Sequence, residues 1–316
     1  MAILTISNTA NFLRDHDRYA IVTHRRPDGD TLGSAAVLCR GLRQLGKTAH
    51  LLENPEVTPK YAFLTEGLTK ATPEEGDVIV CVDVASPGML PAAFLHLQDR
   101  LTLRIDHHRN DTPFTQHELV DPKCAACGQL VWRVLAQMGA FLDKDIATAL
   151  YTAISTDTGC FRFANTQPET FRLAGSCAEY CDDLFKLNHT LFETNSLARL
   201  KIQGWMAQNA RFLRGGKFCI CPIPLAVEQE LGVTEDDMEN ISGFPRTIEG
   251  VELAVTLRQE NENKVKLSVR CTPQWDASFI CGQLGGGGHR GAAGASFDLP
   301  LDEAAAAVLA AMPTLE

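Results

Sequence analysis

The 316-residue sequence has no surplus of positive charge: 29 Lys and Arg stand against 39 Asp and Glu, a formal net charge of -10. Proteins that track long DNA or RNA carry a basic stripe, so this balance argues against long nucleic acid as a partner and leaves short nucleotides held by local Arg and His. No apolar run could span a bilayer, the longest being the Ala-rich stretch from Ala304 to Met312. The opening Met1-Ala2-Ile3-Leu4-Thr5-Ile6-Ser7-Asn8 lacks the basic region and long apolar core of a secretory signal. These absences predict a cytoplasmic protein with no membrane partner. A disulfide framework is not expected either, because the 11 cysteines are odd in number and scattered through apparent helices and strands, as reduced thiols are. Repeats and low-complexity tracts are missing, and 45% hydrophobic against 22% charged residues gives no case for extensive disorder.

What is present begins with three clusters, each placed where a run of Val, Ile and Leu stops. They are His24-Arg25-Arg26-Pro27-Asp28-Gly29-Asp30, Asp83, and Asp106-His107-His108. The runs before them, Tyr19 to Thr23, Asp77 to Val82 and Leu101 to Ile105, are short, β-branched and nearly continuous, as strands buried on both faces should be. Helical spacing predicts helices over Thr31 to Leu45, Gly128 to Met138, Lys144 to Thr156 and Pro168 to Tyr180, and Thr48 to Leu52 reads as a further strand. Alternating strands and helices predict an α/β fold with a parallel sheet and helices on both faces. Ligands of such sheets bind outside the carboxyl ends of the strands, where the three clusters lie.

The length suits two domains. The first is expected over residues 1–190. A helical, mixed-charge stretch from Ser196 to Leu213 reads as the connection, placed at residues 191–214. Residues 215–316 form a smaller mixed α/β domain, with strands at Lys217 to Cys221, Val251 to Arg258 and Lys264 to Arg270, a short helix at Asp276 to Leu284 and then a glycine-rich loop.

His24, Asp28 and Asp30 share one strand-to-helix loop whose Pro27 and Gly29 permit a compact turn. Asp83 and His107 arrive from neighbouring strand ends, and Asp157 sits near the end of a helix. Each residue is ordinary alone, since Asp and Asn cap helices everywhere. Together they make six candidate ligands, more than one ion takes from a protein, whereas two divalent ions sharing a carboxylate use them all and leave room for water and substrate.

The set His24-x3-Asp28-x-Asp30, Asp83, Asp106-His107-His108 and Asp157 resembles the DHH phosphoesterase superfamily, with its four metal motifs in order. Ser155 to Thr166 resembles the branch of short-oligonucleotide nucleases of NrnA type. The resemblance implies one metal on His24, Asp28 and Asp83, and another on Asp30, Asp83, His107 and Asp157, with Asp83 as the bridge and manganese as the family's usual ion. It further implies that Asp106 orients a ligand and that His108 faces the substrate phosphate. Cys127 stands where the family has Thr, and Gln129 where Glu is common.

Gly285-Gly286-Gly287-Gly288-His289-Arg290-Gly291-Ala292-Ala293-Gly294 resembles the glycine-rich signature of the DHH-associated substrate domain, and Ser268-Val269-Arg270 its Ser-x-Arg strand. A glycine run alone reads as a flexible linker. In this company it reads as a phosphate and nucleotide cradle, with Gly286, Gly287, Gly288, Ser268, Arg270 and His289 as contacts and Arg246 as a further one. Arg258 reads as a solvated strand residue, and Arg109 and Asn110 could reach phosphate. Cys124-x2-Cys127 and Cys177-x3-Cys181 have zinc-like spacing but read as buried thiols, and Trp132, Trp205 and Trp275 as packing residues.

These residues predict a two-metal phosphohydrolase acting on very short RNA, with 3'-phosphoadenosine 5'-phosphate as a second substrate. A phosphodiesterase of linear or cyclic dinucleotide messengers is the enzymatic rival, and a nucleotide-binding regulatory protein the non-enzymatic one. A homodimer is compatible with the sequence.

Overall fold

The computed structural model describes residues 2–108 and 112–312, so Arg109 and Asn110 lie outside the described residues. The chain divides into two compact units, Met1–Thr194 and Asn195–Glu316.

The first unit is built on strands β1 (Ala2–Ile3), β2 (Arg18–Val22), β3 (Thr48–Leu52), β4 (Thr69–Lys70), β5 (Val78–Val82), β6 (Leu101–Asp106) and β7 (His117–Val120). Its helices are α1 (Ile6–Asp15), α2 (Gly29–Gln44), α3 (Ala62–Thr65), α4 (Cys127–Met138), α5 (Lys144–Asp157), α6 (Pro168–Ala178) and α7 (Leu184–Asn188). The strands form one sheet in the order β1-β7-β6-β5-β2-β3-β4, and every pairing is parallel. Alternation along each strand feeds two cores. Tyr19, Ile21, Val80, Val82, Leu103 and Ile105 face a core shared with α1, α2, α4 and α5. Ala20, Val22, Ile79 and Cys81 face a smaller one closed by Phe94 and Leu97 of the 3-10 segment Ala92–Arg100.

After β2 the chain therefore passes to one face through α2, and after β5 to the other through that 3-10 segment. Right-handed crossovers running in opposite directions part the chain in this way. The gap between the ends of β2 and β5 is the switch point at which such sheets bind ligands. His24 follows β2 and Asp83 follows β5. A close helix pair adds the third side: a Cβ on Gly33 of α2 would meet the Ala149 carbonyl of α5 at 2.6 Å. The absent side chain lets the start of α2, with Asp28 and Asp30, approach the end of α5, with Asp157.

The second unit has helices α8 (Leu197–Asn209), α9 (Leu225–Leu231), α10 (Ala277–Gln283) and α11 (Leu301–Ala311) and strands β8 (Arg211–Leu213), β9 (Phe218–Ile223), β10 (Leu253–Asn261), β11 (Lys264–Cys271), β12 (Gly287–His289) and β13 (Ala292–Phe297). The sheet order is β12-β13-β11-β10-β9-β8, antiparallel except between β9 and β10. One face packs on α10 and α11 through Val255, Leu267, Val269, Ile280 and Val308. On the other, Cys221 and Ile223 meet Ile202 and Met206 of α8.

Three expectations need correction. The helix expected through Leu213 ends at Asn209, and Arg211–Leu213 is a strand paired with β9; α8 packs into the second unit instead of spanning a connection. The glycine run is no open loop, because Gly287–His289 pairs antiparallel with β13 across a two-residue turn at Arg290 and Gly291. Arg258 is not a solvated residue: it is held by both Glu228 (2.8 Å) and Glu235 (2.7 Å). Trp275 packs edge-on against Phe218 and donates its ring N–H to Glu252 at 3.1 Å.

Candidate metal centre

All six candidate ligands converge at the switch point. His24 Nε2 lies 3.7 Å from Asp28 Oδ1 and 3.7 Å from Asp83 Oδ2. His107 Nε2 lies 3.6 Å from each of Asp30 Oδ2, Asp83 Oδ1 and Asp157 Oδ2. The two oxygens of Asp83 thus face two different groups. Donors each about 2.1 Å from one ion sit at separations of this order. Asp83 is 2% exposed and its Oδ1 accepts no aligned hydrogen bond, an orphaned buried acceptor that a cation would satisfy.

Both candidate ligand histidines are oriented the same way. His24 Nδ1 is 2.8 Å from the Arg25 carbonyl and His107 Nδ1 is 3.1 Å from the Cys124 carbonyl, so each ring donates there and turns Nε2 toward the carboxylates. Tethering one ring nitrogen to a carbonyl is how metal-binding imidazoles are held. His108 differs. Its Nδ1 meets Asp106 Oδ1 at 2.9 Å and lies 3.2 Å from Asp83 Oδ1, and its backbone N–H also donates to Asp106. Asp106 therefore orients His108, and Asp83, Asp106, His107 and His108 together also lie close enough to share an ion. Among the described residues, no group of side chains close enough to share an ion contains a cysteine, and all 11 cysteines are unbonded.

The electrostatics describe a site short of positive charge. Burial pushes Asp30 well above the usual carboxylate range, and Asp83, Asp157 and Asp28 add to it. Asp157 is pushed up to about 6 by burial, with His107 opposing and Asp83 reinforcing. Burial works against a charged His24, yet the hydrogen bond and charge of Asp28, with Asp83 behind it, lift it to about 9. Asp28 is held down to about 2, since His24 outweighs the effect of burial. His108 is raised to about 12, burial being overcome by Asp106 and Asp83. Crowded carboxylates that raise one another are what a divalent cation relieves.

In the second unit, register brings Ser268, Arg270, His289 and Gly287 to one sheet face, whereas Gly288 falls on the other and Arg246 lies in the 3-10 segment Ile241–Thr247. Ala292 of β13 is paired with Arg270 of β11 on one side and His289 of β12 on the other. Gly294 is likewise paired with Ser268 and Gly287. Directly opposed residues point the same way, so Ser268, Arg270 and His289 border a floor of Ala and Gly. Arg270 donates to the Val269 carbonyl at 3.0 Å and has no carboxylate partner among the described residues. Burial lowers its pKa, and the charge of Arg246 lowers it further. Gly286 lies against β13, where a Cβ would come within 2.1 Å of the Gly294 carbonyl.

The family model for the N-terminal domain of the DHH family matches residues 18–154, and that for the DHHA1 domain matches residues 197–313. A Thermus thermophilus protein, the bifunctional oligoribonuclease and PAP phosphatase NrnA, is 35% identical over 92% of this chain and 88% of its own. The chain belongs to the DHH family, in its NrnA branch. The Bacillus subtilis protein of the same description is 27% identical over 89% of this chain and 90% of its own. An exopolyphosphatase-related protein from Bacteroides fragilis shares the fold, with a TM-score of 0.81 at 22% identity over 97% of this chain and 94% of its own.

The candidate site is also braced by residues that motif spacing did not single out. Arg104, fully buried, donates through Nε to Asp106 at 3.1 Å and through its terminal nitrogens to Asp106 and to Glu118, the latter at 3.2 Å. An arginine in the middle of a buried strand was the available signal. Asp30 is seated by the N–H groups of Cys127 (2.7 Å) and Gly128 (3.0 Å) at the start of α4 and by the Ser34 hydroxyl (2.9 Å). The Cys127 departure is thereby absorbed, because it is the backbone amide that works. Gln129 keeps a cap as well, accepting the Ala125 N–H at 3.2 Å.

Proposed function

We propose that the protein is a manganese-dependent phosphohydrolase that degrades very short oligoribonucleotides to nucleoside 5'-monophosphates and also converts 3'-phosphoadenosine 5'-phosphate to AMP and phosphate. The observation that carries this reading is the division of the Asp83 carboxylate between two histidines, His24, which Asp28 also faces, at one oxygen and His107, which Asp30 and Asp157 also face, at the other. The Thermus and Bacillus relatives, whose names state both activities, support it.

In this reading one cation is held by His24, Asp28 and Asp83 and the other by Asp30, Asp83, His107 and Asp157, a mixture of nitrogen and oxygen donors that suits manganese. When bound, the cations neutralise phosphoryl charge and lower the pKa of a water for in-line attack. Protonated His108, fixed by Asp106, which Arg104 holds in turn, stabilises the developing charge and gives a proton to the leaving oxygen. Ser268, Arg270, Arg246, His289 and the amides of Gly286, Gly287 and Gly288 bind the nucleotide through phosphate. Short substrates also agree with a net charge of -10.

The test offers purified protein, with manganese, an RNA ladder from two to about ten nucleotides, a span a single small site could accept. 3'-phosphoadenosine 5'-phosphate and a cyclic dinucleotide are assayed alongside. Consumption of the shortest RNAs supports the reading, and consumption of the cyclic compound alone ends it.

A further inference from the structure

Immediately after Asp157 the chain takes an uncommon path. Gly159, Cys160 and Phe161 are three consecutive residues in the left-handed region, with φ of 57°, 57° and 63°. Only glycine enters that region freely, so two of the three are strained, and strain of this kind persists where the surrounding structure holds it for a purpose. The path sends neighbouring aromatic rings in opposite directions. Phe161 packs inward, stacked on Phe171 at 5.3 Å and tilted against Tyr151 at 6.0 Å. Phe163 folds back over Gly159 and is 48% exposed. Three of its ring atoms lie within 2.6 Å of where a Gly159 Cβ would be, so the ring rests against bare backbone with its other side outward.

Arg162 is drawn to the same glycine. Its Nε donates to the Gly159 carbonyl at 2.6 Å, and its guanidinium has no carboxylate partner among the described residues. Asn165 secures the turn to the metal site, donating to the Asp157 carbonyl at 3.1 Å and to the Ala125 carbonyl at 2.9 Å. An outward aromatic face and an uncommitted guanidinium are thus seated on one residue, two positions from a candidate metal ligand. Packing explains Phe161, but it does not explain why the outward position carries a flat ring.

We propose that the Gly159–Phe163 turn is a nucleotide subsite of the first unit, in which Phe163 stacks a nucleobase and Arg162 pairs with a phosphate of the same substrate. The inference rests on the proposed nucleotide hydrolysis and adds to it where the base is held. Stacking accepts any base, since each has a π face, and it fits a degradative enzyme without sequence preference.

The test compares wild type, Phe163→Leu and Phe163→Tyr on an RNA dinucleotide and on analogues lacking one nucleobase or the other. Stacking on one aromatic is lost with Leu and kept with Tyr, so KM for the dinucleotide rises roughly tenfold with Leu and returns with Tyr, at nearly constant kcat. On the analogue without the stacked base the Leu effect disappears. Arg162→Gln raises KM and flattens its dependence on salt, as removal of a phosphate contact does. A Leu effect that is equal on intact and base-free substrates, or that is absent, overturns the subsite. Stopped-flow mixing of wild type with a 2-aminopurine dinucleotide needs no variant: stacking quenches the probe before turnover, and unquenched binding also overturns the subsite. Wild type that hydrolyses neither short RNA nor the bisphosphate fails the functional reading itself, whereas normal hydrolysis with an indifferent Phe163 fails only the subsite.

Discussion

Asp30 accepts the backbone N–H of Cys127 at 2.7 Å, so a candidate ligand at the start of α2 also caps α4. The N-cap position of α4, Ala126, offers no side chain for the task. Capping and charge are separable by substitution. Asp30→Asn keeps an acceptor oxygen and removes a crowded negative charge, while Asp30→Ala removes both. In chelator, urea unfolding is expected to place Asp30→Ala about 1 kcal/mol below Asp30→Asn, which keeps one of the two acceptor oxygens. Both variants lose divalent-ion affinity. Equal stability of the two variants would count against the cap.

Arg104 sits fully buried between Asp106 and Glu118. Arg104→Met leaves two buried carboxylates without their cation, which is expected to cost about 3 to 5 kcal/mol in chemical denaturation. A double variant, Arg104→Met with Glu118→Gln, should recover part of the loss. No recovery would mean that the deficit comes from packing.

Asp83 stands between two candidate ligands, 3.7 Å from His24 and 3.6 Å from His107. Asp83→Asn is expected to fold and to reduce the ions retained in equilibrium dialysis from two per chain, with turnover abolished. Two ions retained with unchanged affinity would remove Asp83 from the bridging position.

The pH response of the metal-free protein has a definite sign. His24 is raised from 6.5 to about 9 and His108 to about 12. A histidine with a raised folded pKa adds stability that is complete below its unfolded value and is lost as pH climbs through the folded one. Asp157, at about 6, has ionised before this window opens. The urea midpoint in chelator is therefore expected to fall between pH 7 and pH 9. Saturating divalent ion, for which the proposed ligand His24 must be neutral, should weaken or reverse the trend, and binding near pH 7 should release protons measurable by calorimetry in buffers of different ionisation enthalpy. A flat or rising midpoint in chelator contradicts a charged His24.

The sheet of the first unit and its ligand edge were legible because buried parallel strands leave long β-branched runs, and a carboxylate or imidazole directly after such a run stands out. Arg104 was not singled out, since the run Leu103-Arg104-Ile105-Asp106 gives no sign that the guanidinium turns back to Asp106 instead of reaching water. The cover over the second sheet face, Ala92–Arg100, is 3-10, although the buried Leu90, Phe94, Leu97 and Leu101 in and beside it recur at helical spacing. Strand β12 escaped for the opposite reason. Glycine disfavours strands locally, and only pairing with β13 makes Gly287–His289 a strand. Residues 159–163 were visible as a motif, but the conformation that separates Phe161 from Phe163 is set by tertiary packing.

Arg270 and His289 each face Ala292 across one step of the sheet. Two such steps span about 9.6 Å, a length fixed by the hydrogen bonds between strands and not by any side chain. Substitutions along the borders can alter what the two side chains offer a ligand, but the distance between their strands is a constant of the backbone. Sequence along the strands can therefore change while the strand spacing stays the same.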